Sequence, residues 1–378
     1  MKIAIITTHY ANNYGALLQT YAMQRFLNEE LKQEAEVLAY FPARYNNSWK
    51  IMKKPSTIRD LMVQIYLLIH WKNIIGFMKR KKKNQDFTLH FIKRSKSYYS
   101  SEEIKRDHPQ YDCFISGSDQ IWNLKLFPGG EPAFFLDFAS AWGNTKKIAY
   151  APSVADPIPE VDIPKVRNYL KVFDAISVRE ISDVGTIQSL TEKKVYHVAD
   201  RVFLLTSMQW ESVAHKPAIK EKYILCYFLS YGDLSSSVVK KLRELTGYKV
   251  VNININAYDK FKSDYCIWDA SPLDFIGYIQ NAAFVCTNSY HCTAFSIIFR
   301  KNFVVVPKKV ANARMKSLQQ VFGISDRFVN QEWLNTVSRE WLNIDYSEYN
   351  EKLEKFRRES ITYLIKSLGL DYDTTSCQ

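Results

Sequence analysis

Residues 2–8 have the sequence Lys-Ile-Ala-Ile-Ile-Thr-Thr, and Gly15 then opens a segment in which Leu18, Tyr21, Ala22 and Phe26 recur at helical spacing. The first run is short, apolar and rich in β-branched residues, which is typical of a buried strand. The second run predicts an amphipathic helix. A strand that leads into a helix is how a doubly wound α/β domain begins.

The same alternation continues outward from this start. Apolar runs predict strands at 111–116, 147–151, 175–178 and 194–198, with a helix near 181–190. Strands that alternate with helices imply a parallel sheet covered on both faces.

The pattern restarts after about residue 206. Strands are predicted at 223–229, 249–255, 283–288 and 303–307, and helices near 235–246, 272–281, 292–299 and 311–322. The sequence therefore predicts an α/β fold of two Rossmann-like lobes that face a cleft, the GT-B arrangement. We assign residues 1–205 to the first lobe, 206–345 to the second, and 346–378 to a final helix, near 347–368, and tail that pack back on the first lobe.

Length and composition agree with two folded lobes. The chain has 378 residues, 47% hydrophobic and 14% aromatic, which exceeds the usual size of a single core and excludes general disorder. The 51 Lys and Arg against 39 Asp and Glu give a net charge of +12. This excess favours anionic partners such as phosphates or acidic lipids without choosing among them.

The six cysteines form no C-x-x-C pair and mostly interrupt apolar runs. We interpret them as buried thiols in a reducing compartment, without a disulfide or a zinc site. The N-terminus enters a strand directly and lacks the pattern of a signal peptide. This predicts a cytoplasmic protein.

A basic insertion near 50–100 stands apart from the alternating pattern. Leu61 to Met78 is largely apolar but interrupted by polar residues, and Lys79-Arg-Lys-Lys-Lys83 follows at once. The interruptions disfavour a spanning helix. The segment fits an amphipathic helix on an anionic membrane face, which would favour a lipid-linked acceptor. The alternative is a helix docked on the first lobe with a solvated run of charge.

Five short motifs together resemble the polysaccharide pyruvyl transferase family. They are Asn12-Asn-Tyr-Gly-Ala-Leu-Leu-Gln19, Gly117-Ser-Asp-Gln-Ile-Trp-Asn123, Ser177-Val-Arg-Glu180, Thr287-Asn-Ser-Tyr-His-Cys-Thr-Ala-Phe-Ser296 and Asn312-Ala-Arg314. Each alone is weakly specific, but five in order, spread along the chain, are strong. The chain departs from the family's pattern at Cys292, where the family usually has Gly, and at Asp200-Arg-Val202, where many members have D-P-T. Ser289 stands where other branches carry an Arg.

The resemblance implies transfer of pyruvate from phosphoenolpyruvate to a sugar hydroxyl, with a cyclic ketal as product, in the synthesis of a capsule, exopolysaccharide or other surface glycan. A donor with a carboxylate and a phosphate requires guanidinium groups and backbone amides. We predict donor contacts from Arg179 and Arg314, and from Asn288, Ser289 and Ser118. The alternative for Arg179 is a salt bridge to Glu180 or a contact with a helix end, and for Arg314 it is a solvated helix position.

His291 falls at a strand end before a helix, which suits a general acid or a phosphate contact. Asp119 follows Gly117 in a tight turn and could accept the proton of an attacking hydroxyl, although capping of the next segment is the alternative. We predict that Gln120, Asn13, Tyr14 and Gln19 contact the acceptor sugar. Turn formation and helix packing are the alternative for the last three.

Other functions are compatible with parts of the pattern. A GT-B glycosyltransferase that uses a nucleotide sugar would have the same two lobes. A non-catalytic scaffold protein would keep its biological function when His291 is replaced. The charge is diffuse apart from Lys79 to Lys83, so nucleic-acid binding is disfavoured. The sequence shows no metal-binding spacing of His and Cys and no Gly-rich phosphate loop, so we expect no metal and no cofactor besides the donor.

Overall fold

The computed structural model describes residues 1–42, 57, 62, 65–66, 69–255, 261–308 and 313–371. The first lobe contains strands β1 (Lys2–Ile6), β2 (Glu34–Tyr40), β3 (Arg94–Tyr98), β4 (Cys113–Ser116), β5 (Lys146–Ala149), β6 (Ala175–Val178) and β7 (Val195–His197). They pair in parallel in the order β3-β2-β1-β4-β5-β6-β7. Its helices are α1 (Tyr14–Arg25), α2 (Trp71–Phe91), α3 (Ser101–Asp107), α4 (Ile163–Lys171) and α5 (Ile181–Gln188).

The second lobe is also built on a parallel sheet. Strands β8 (Tyr223–Tyr227), β9 (Lys249–Ile253), β10 (Tyr265–Ile267), β11 (Phe284–Thr287) and β12 (Phe303–Val305) pair in the order β10-β9-β8-β11-β12. The remaining helices are α6 (Ser207–Glu211), α7 (Asp233–Thr246), α8 (Pro272–Asn281), α9 (Tyr290–Ile298), α10 (Ala313–Phe322), α11 (Trp333–Thr336) and α12 (Ser347–Leu368). Two parallel sheets confirm the predicted α/β fold with two Rossmann-like lobes.

Short 3-10 and π turns connect these elements. The π turn Phe26–Glu30 continues α1, and the 3-10 turns are Pro132–Phe135, Asp137–Ala139, Glu160–Asp162, Arg201–Leu204, Ser325–Arg327 and Glu340–Leu342.

Helix α1 joins the two lobes through apolar and aromatic contacts. The Tyr14 ring stacks on Phe275 of α8 with centroids 4.8 Å apart, and its hydroxyl donates to the Ala270 carbonyl at 3.0 Å. One continuous cluster of buried side chains runs from Ile3 and Leu17 in the first lobe to Phe295 in the second. Burial of this shared surface, rather than a flexible linker, holds the lobes together.

The strands β2, β3 and β10 were not predicted. In β3, Arg-Ser-Lys-Ser-Tyr, only Tyr98 is buried because the strand forms the edge of the sheet. Edge strands are commonly charged, so they lack the apolar pattern that marks a central strand.

The basic run, residues 79–83, lies inside helix α2. Arg80 is buried and donates to the carbonyls of Asn254 (2.6 Å) and Ile255 in the second lobe. Lys83 is paired with Asp269 at 3.2 Å. The charged run is therefore only partly solvated. Residues 61, 63–64 and 67–68 of the predicted amphipathic segment lie outside the described residues.

The last helix, α12, returns to the first lobe. The Ser360 hydroxyl accepts from the amide of Ala199 at 2.8 Å, the Tyr363 hydroxyl donates to Ala149 O at 3.0 Å, and Lys146 donates to Leu368 O at 2.6 Å. These contacts place α12 against β5 and the segment after β7.

Four of the cysteines, Cys113, Cys226, Cys286 and Cys292, are buried, whereas Cys266 is exposed; all five are free thiols, and Cys377 lies outside the described residues. Within the described part of the chain, none of the helices combines the length and apolarity needed to cross a membrane.

Candidate active site

The carboxyl ends of β1 and β4 and the start of α9 converge on a small cavity between the lobes. Its volume is about 220 Å³, and it is lined by Thr8, Ala11, Asn13, Asp119, Gln120, Leu126, Leu229, Asn288, Ser289, Tyr290, His291 and Arg314. Ligands of open α/β sheets bind at this end of the strands. The structure thus brings together seven of the predicted site residues: Asn13, Asp119, Gln120, Asn288, Ser289, His291 and Arg314.

The turn after β4 positions Asp119. Gly117 has φ +136°, and a Cβ there would lie 1.9 Å from the Tyr150 carbonyl oxygen, so the backbone requires glycine. The Thr8 hydroxyl, at the end of β1, donates to Asp119 Oδ2 at 3.2 Å. Asn13, which also lines the cavity, caps α1 by accepting from the Gly15 amide at 2.9 Å.

The loop between β11 and α9 presents His291. Ser289 is the N-cap of α9, and its hydroxyl accepts from the Cys292 amide at 3.5 Å. Asn288 Oδ1 accepts from the Leu229 amide at 2.8 Å. These contacts fix His291 in the first turn, where the helix dipole favours an anion.

Asp200 connects both lobes of the site. Its Oδ2 accepts from Arg179 Nη1 at 2.7 Å and from the Ser118 hydroxyl at 3.1 Å, and lies 3.7 Å from His291 Nε2. Burial alone would raise the pKa of Asp200, but the neighbouring His291 and the Arg179 guanidinium hold it well below its usual range. Asp200 is therefore a buried carboxylate beside the imidazole.

Arg179 lies below the cavity rather than on its wall. Its Nε donates to Glu180 at 3.0 Å, both side chains are buried, and Tyr290 covers the guanidinium at 4.9 Å from the ring centroid. Burial opposes its charge, but the carboxylates of Glu180 and Asp200 raise the pKa of Arg179 well above its ordinary value. The salt bridge to Glu180, the alternative to a donor contact, is present.

Arg314 supplies the guanidinium that reaches the cavity. When the Gln120 side-chain amide is oriented with its oxygen toward Arg314, this oxygen accepts hydrogen bonds from Arg314 Nη1 at 3.1 Å and Nη2 at 3.3 Å. Burial and the nearby charge of Arg179 lower the pKa of Arg314. Lys308 is half-buried close by, and burial and the charge of Arg314 lower its pKa. Asn312, which precedes Arg314 in the motif, lies outside the described residues.

Tyr14 and Gln19 are not brought to the cavity. Tyr14 packs between the lobes as described above. The Gln19 amide donates to Thr7 Oγ1 at 3.0 Å and to Ala16 O at 2.9 Å, and its oxygen accepts from Arg201 at 3.3 Å. Ser118 is also buried, with its hydroxyl directed to Asp200.

Sequence reasoning missed Asp200, Thr8 and Lys308. Asp200 follows strand β7 and is buried among Arg179, Ser118 and His291, which no local pattern reveals. The sequence offered one clue to Asp200. This residue follows a predicted strand and begins the stretch Asp200-Arg-Val202, where many family members have D-P-T.

The arrangement can donate a proton from His291, bind an anion with Arg314 and the start of α9, and accept a proton at Asp119. Over the residues that the structure describes, no three or more His, Cys, Asp and Glu side chains are grouped to hold a metal ion.

Comparison with known proteins gives one matching family. The family model described as polysaccharide pyruvyl transferase matches residues 13–307. No curated protein sequence matches significantly.

Three solved structures illustrate the likeness in fold. A Listeria monocytogenes protein named as a UDP-N-acetylglucosamine 2-epimerase is 10% identical, with a TM-score of 0.53 and coverage of 98% of this chain and 99% of that chain. S. aureus MnaA, in a co-structure with UDP, is 13% identical (TM-score 0.49; 98% and 97% covered). The glycosyltransferase SnogD from Streptomyces nogalater is 11% identical (TM-score 0.47; 98% and 99% covered). At such identity, the first of these supports the fold alone.

Proposed function

Because the chain belongs to the polysaccharide pyruvyl transferase family, we propose that it transfers a pyruvyl group from phosphoenolpyruvate to a sugar and forms a cyclic ketal. Membership of this family implies that the protein is a transferase with a polysaccharide acceptor. The observation that carries the choice of donor is His291, held 3.7 Å from the buried Asp200 carboxylate and sharing a small cavity with Arg314.

The donor is an anion at both ends, and the cavity offers it matching groups. We place its phosphate or carboxylate against Arg314 and the amides at the start of α9, with Lys308 adding positive charge. Arg179 is already balanced by Glu180 and Asp200, so we assign it the role of holding Asp200 and shaping the wall through Tyr290.

The reaction requires one proton on the donor's methylene carbon. We assign this proton to His291 as general acid, because its imidazole lines the cavity and lies 3.7 Å from the Asp200 carboxylate. Protonation leaves cationic character on the neighbouring carbon, and a sugar hydroxyl then forms a C–O bond there. Asp119 accepts the proton of that hydroxyl.

The ketal forms in a second step at the same carbon. Phosphate departs with the electron pair of its C–O bond, and a second hydroxyl of the same sugar attacks. Of the two hydroxyl protons, one restores His291 and the other leaves with phosphate. Preorganised positive charge around the leaving phosphate supplies most of the stabilisation.

The volume of the cavity favours a small donor. Pockets for drug-sized ligands measure roughly 300–1,000 Å³, whereas this cavity measures about 220 Å³. A three-carbon phosphate ester suits the smaller space. The donor chemistry needs no redox or metal step, so we propose that no cofactor besides phosphoenolpyruvate takes part.

We further propose that the acceptor is a lipid-linked precursor of a capsule, exopolysaccharide or other surface glycan, met at the inner face of the cytoplasmic membrane. Helix α2 exposes Trp71, Ile75 and Met78 at i, i+4 and i+7 spacing, with Lys72 and Lys79 beside them. An apolar stripe flanked by lysines favours adsorption to anionic headgroups. No nucleic-acid partner is proposed.

The proposal is tested by incubating the purified protein with labelled phosphoenolpyruvate and a panel of lipid-linked sugars and measuring phosphate release. Acceptor-dependent release in the wild type, and its loss in His291→Gln, is the expected result. If His291→Gln kept full activity in this assay and in glycan pyruvylation by the cell, a scaffold role would replace the enzymatic one. Stabilisation against heat by nucleotide sugars but not by phosphoenolpyruvate would favour the glycosyltransferase alternative.

A further inference from the structure

A second and larger cavity adjoins the candidate active site. This groove, of about 860 Å³, lies between α2 and the segments that follow β1 and β2. It is lined by His9, Tyr10, Ala11, Leu17, Phe41, Met78, Lys81, Lys82, Asn84, Gln85, Asp86, Thr88, Leu89 and Arg94. Ala11 lines the small cavity as well. A ligand in the groove would therefore lie next to the position assigned to the donor.

Aromatic side chains form one wall of the groove. The ring centroids of His9 and Phe41 are 5.0 Å apart, those of Tyr10 and Phe41 are 5.7 Å apart, and Tyr99 stacks behind Phe41 at 5.9 Å. Apolar and aromatic walls with a few polar groups are typical of small-molecule sites. The flat faces of sugar rings fit such a wall.

His9 provides a buried hydrogen-bond acceptor for a hydroxyl group. Its side chain is fully buried, and its Nδ1 lies 3.3 Å from the Thr7 carbonyl, which can only accept, so Nδ1 carries the proton. Burial lowers the pKa of His9 to about 4, so the ring is neutral near pH 7. Among the described residues, Nε2 has no hydrogen-bond partner. Its lone pair suits a sugar hydroxyl and not an anion.

The groove also carries an excess of positive charge. Lys81, Lys82 and Arg94 line it, and Asp86 is the acidic residue among its lining side chains. Within the part of the chain that the structure describes, neither Lys82 nor Arg94 forms an ion pair. Unpaired cations beside an aromatic wall favour a phosphate attached to a sugar.

We propose that this groove binds the acceptor at the junction of its sugar and a lipid-linked phosphate, with the sugar on the aromatic wall and the phosphate at Lys82 and Arg94. The inference rests on the proposed function for the identity of the acceptor. The lipid chain extends out of the groove across Met78 and Leu89, two exposed side chains of α2 that line the groove. Met78 also belongs to the apolar stripe with Trp71 and Ile75, so the lipid path and the proposed membrane face coincide.

The test is direct binding of farnesyl diphosphate, without donor or turnover, measured by calorimetry at fixed ionic strength. Inorganic diphosphate and farnesol are the two partial probes. We expect farnesyl diphosphate to bind more tightly than either, and Lys82→Ala or Arg94→Ala to weaken it by about tenfold, as for the loss of a charged hydrogen bond. Lys105→Ala is the matched control, because Lys105 is exposed on α3 and does not line the groove. The affinity of this variant for farnesyl diphosphate should equal that of the wild type.

The outcomes separate the groove from the donor site. Wild-type affinity in Arg94→Ala and Lys82→Ala, or no binding to any form, would overturn the groove assignment. Equal affinity for inorganic diphosphate would show a free-phosphate site and overturn the lipid part. Phosphoenolpyruvate should raise the melting temperature equally in all variants; its failure to do so in the wild type would count against the proposed donor and leave the groove result standing.

Discussion

The imidazole of His291, in the second lobe, lies directly against the backbone of Gly15, in the first. A Cβ added at Gly15 would lie 2.0 Å from His291 Nδ1 and 2.4 Å from Cε1. Real Cβ atoms essentially never approach closer than 3.0 Å, so this contact requires glycine. Gly15 is the second residue of α1 and His291 the second residue of α9. The position of the proposed acid is thus determined by both lobes together.

The first prediction is that Gly15→Ala inactivates the protein without unfolding it. The added methyl group displaces the imidazole, and misplacement of a catalytic group by about 1 Å can cost about a hundredfold in rate. We expect kcat to fall by at least that factor while far-ultraviolet circular dichroism is unchanged. Gly185→Ala, in helix α5 with no neighbour within 4 Å of the added Cβ, should retain full kcat. Equal activity of both variants would contradict the prediction.

A second prediction concerns the carboxylate that joins Arg179, Ser118 and His291. Asp200→Asn removes one of the two carboxylate charges that balance the buried Arg179. We therefore expect a loss of about 3 kcal/mol of unfolding free energy and a fall in kcat of about a hundredfold or more. Urea unfolding and phosphate release measure the two effects. Asp156→Asn, which removes the exposed salt bridge to Lys125, should cost at most about 1 kcal/mol.

The loss of unfolding free energy in Asp200→Asn depends on pH in a direction that follows from the pKa of Asp200. The folded pKa of Asp200 lies below its ordinary value of about 3.9. Its contribution to stability is therefore fully present above about pH 4 and is lost as the pH falls toward the folded pKa. The stability gap between wild type and Asp200→Asn should shrink as the pH falls below 4. A gap that widened between pH 4 and pH 2 would refute this assignment.

The central strands were predictable because burial on both faces demands continuous apolar runs, as in Ile3 to Ile6. The edge strand β3 was not, because its residues before Tyr98 are polar and only partly buried or exposed. The structure places the motif residues His291, Asp119 and Arg314 at one cavity. The same motifs contain Tyr14 and Gln19, which hold α1 in place, since a short pattern does not distinguish packing from ligand contact. Asp200 meets its partners only through tertiary structure.

The third prediction tests helix α2 as a bridge between the lobes. Arg80→Ala leaves the carbonyls of Asn254 and Ile255 without the donors they now have, so we expect a loss of about 2 to 3 kcal/mol in unfolding free energy. Arg80→Lys should not restore it, because one ammonium lacks the fork that reaches both carbonyls. Lys79→Ala, exposed one residue earlier, should change stability by less than about 0.5 kcal/mol. Equal stability of the Arg80 and Lys79 variants would exclude the bridge.

The last prediction concerns Asp183, whose carboxylate accepts from the Val154 amide at 3.0 Å. Burial and the negative charge of Glu180 raise the pKa of Asp183 to about 7, whereas an unfolded Asp titrates near pH 3.9, about three units lower. Between these two values the folded state holds a proton that the unfolded state has lost. Stability therefore falls as the pH rises from about 4 to 7 and then levels off.

Asp183→Asn removes the carboxyl group whose ionisation lowers stability at high pH, and it keeps an oxygen that accepts from the Val154 amide. We expect the variant to be more stable than wild type by about 1 to 3 kcal/mol at pH 8, with the difference closing toward pH 4.5. Urea unfolding at pH 4.5, 6 and 8 measures it. Asp137→Asn, at an exposed position, should show a difference below about 0.5 kcal/mol at every pH. A gain for Asp183→Asn that did not depend on pH would mean that neutralising the carboxyl is not its cause.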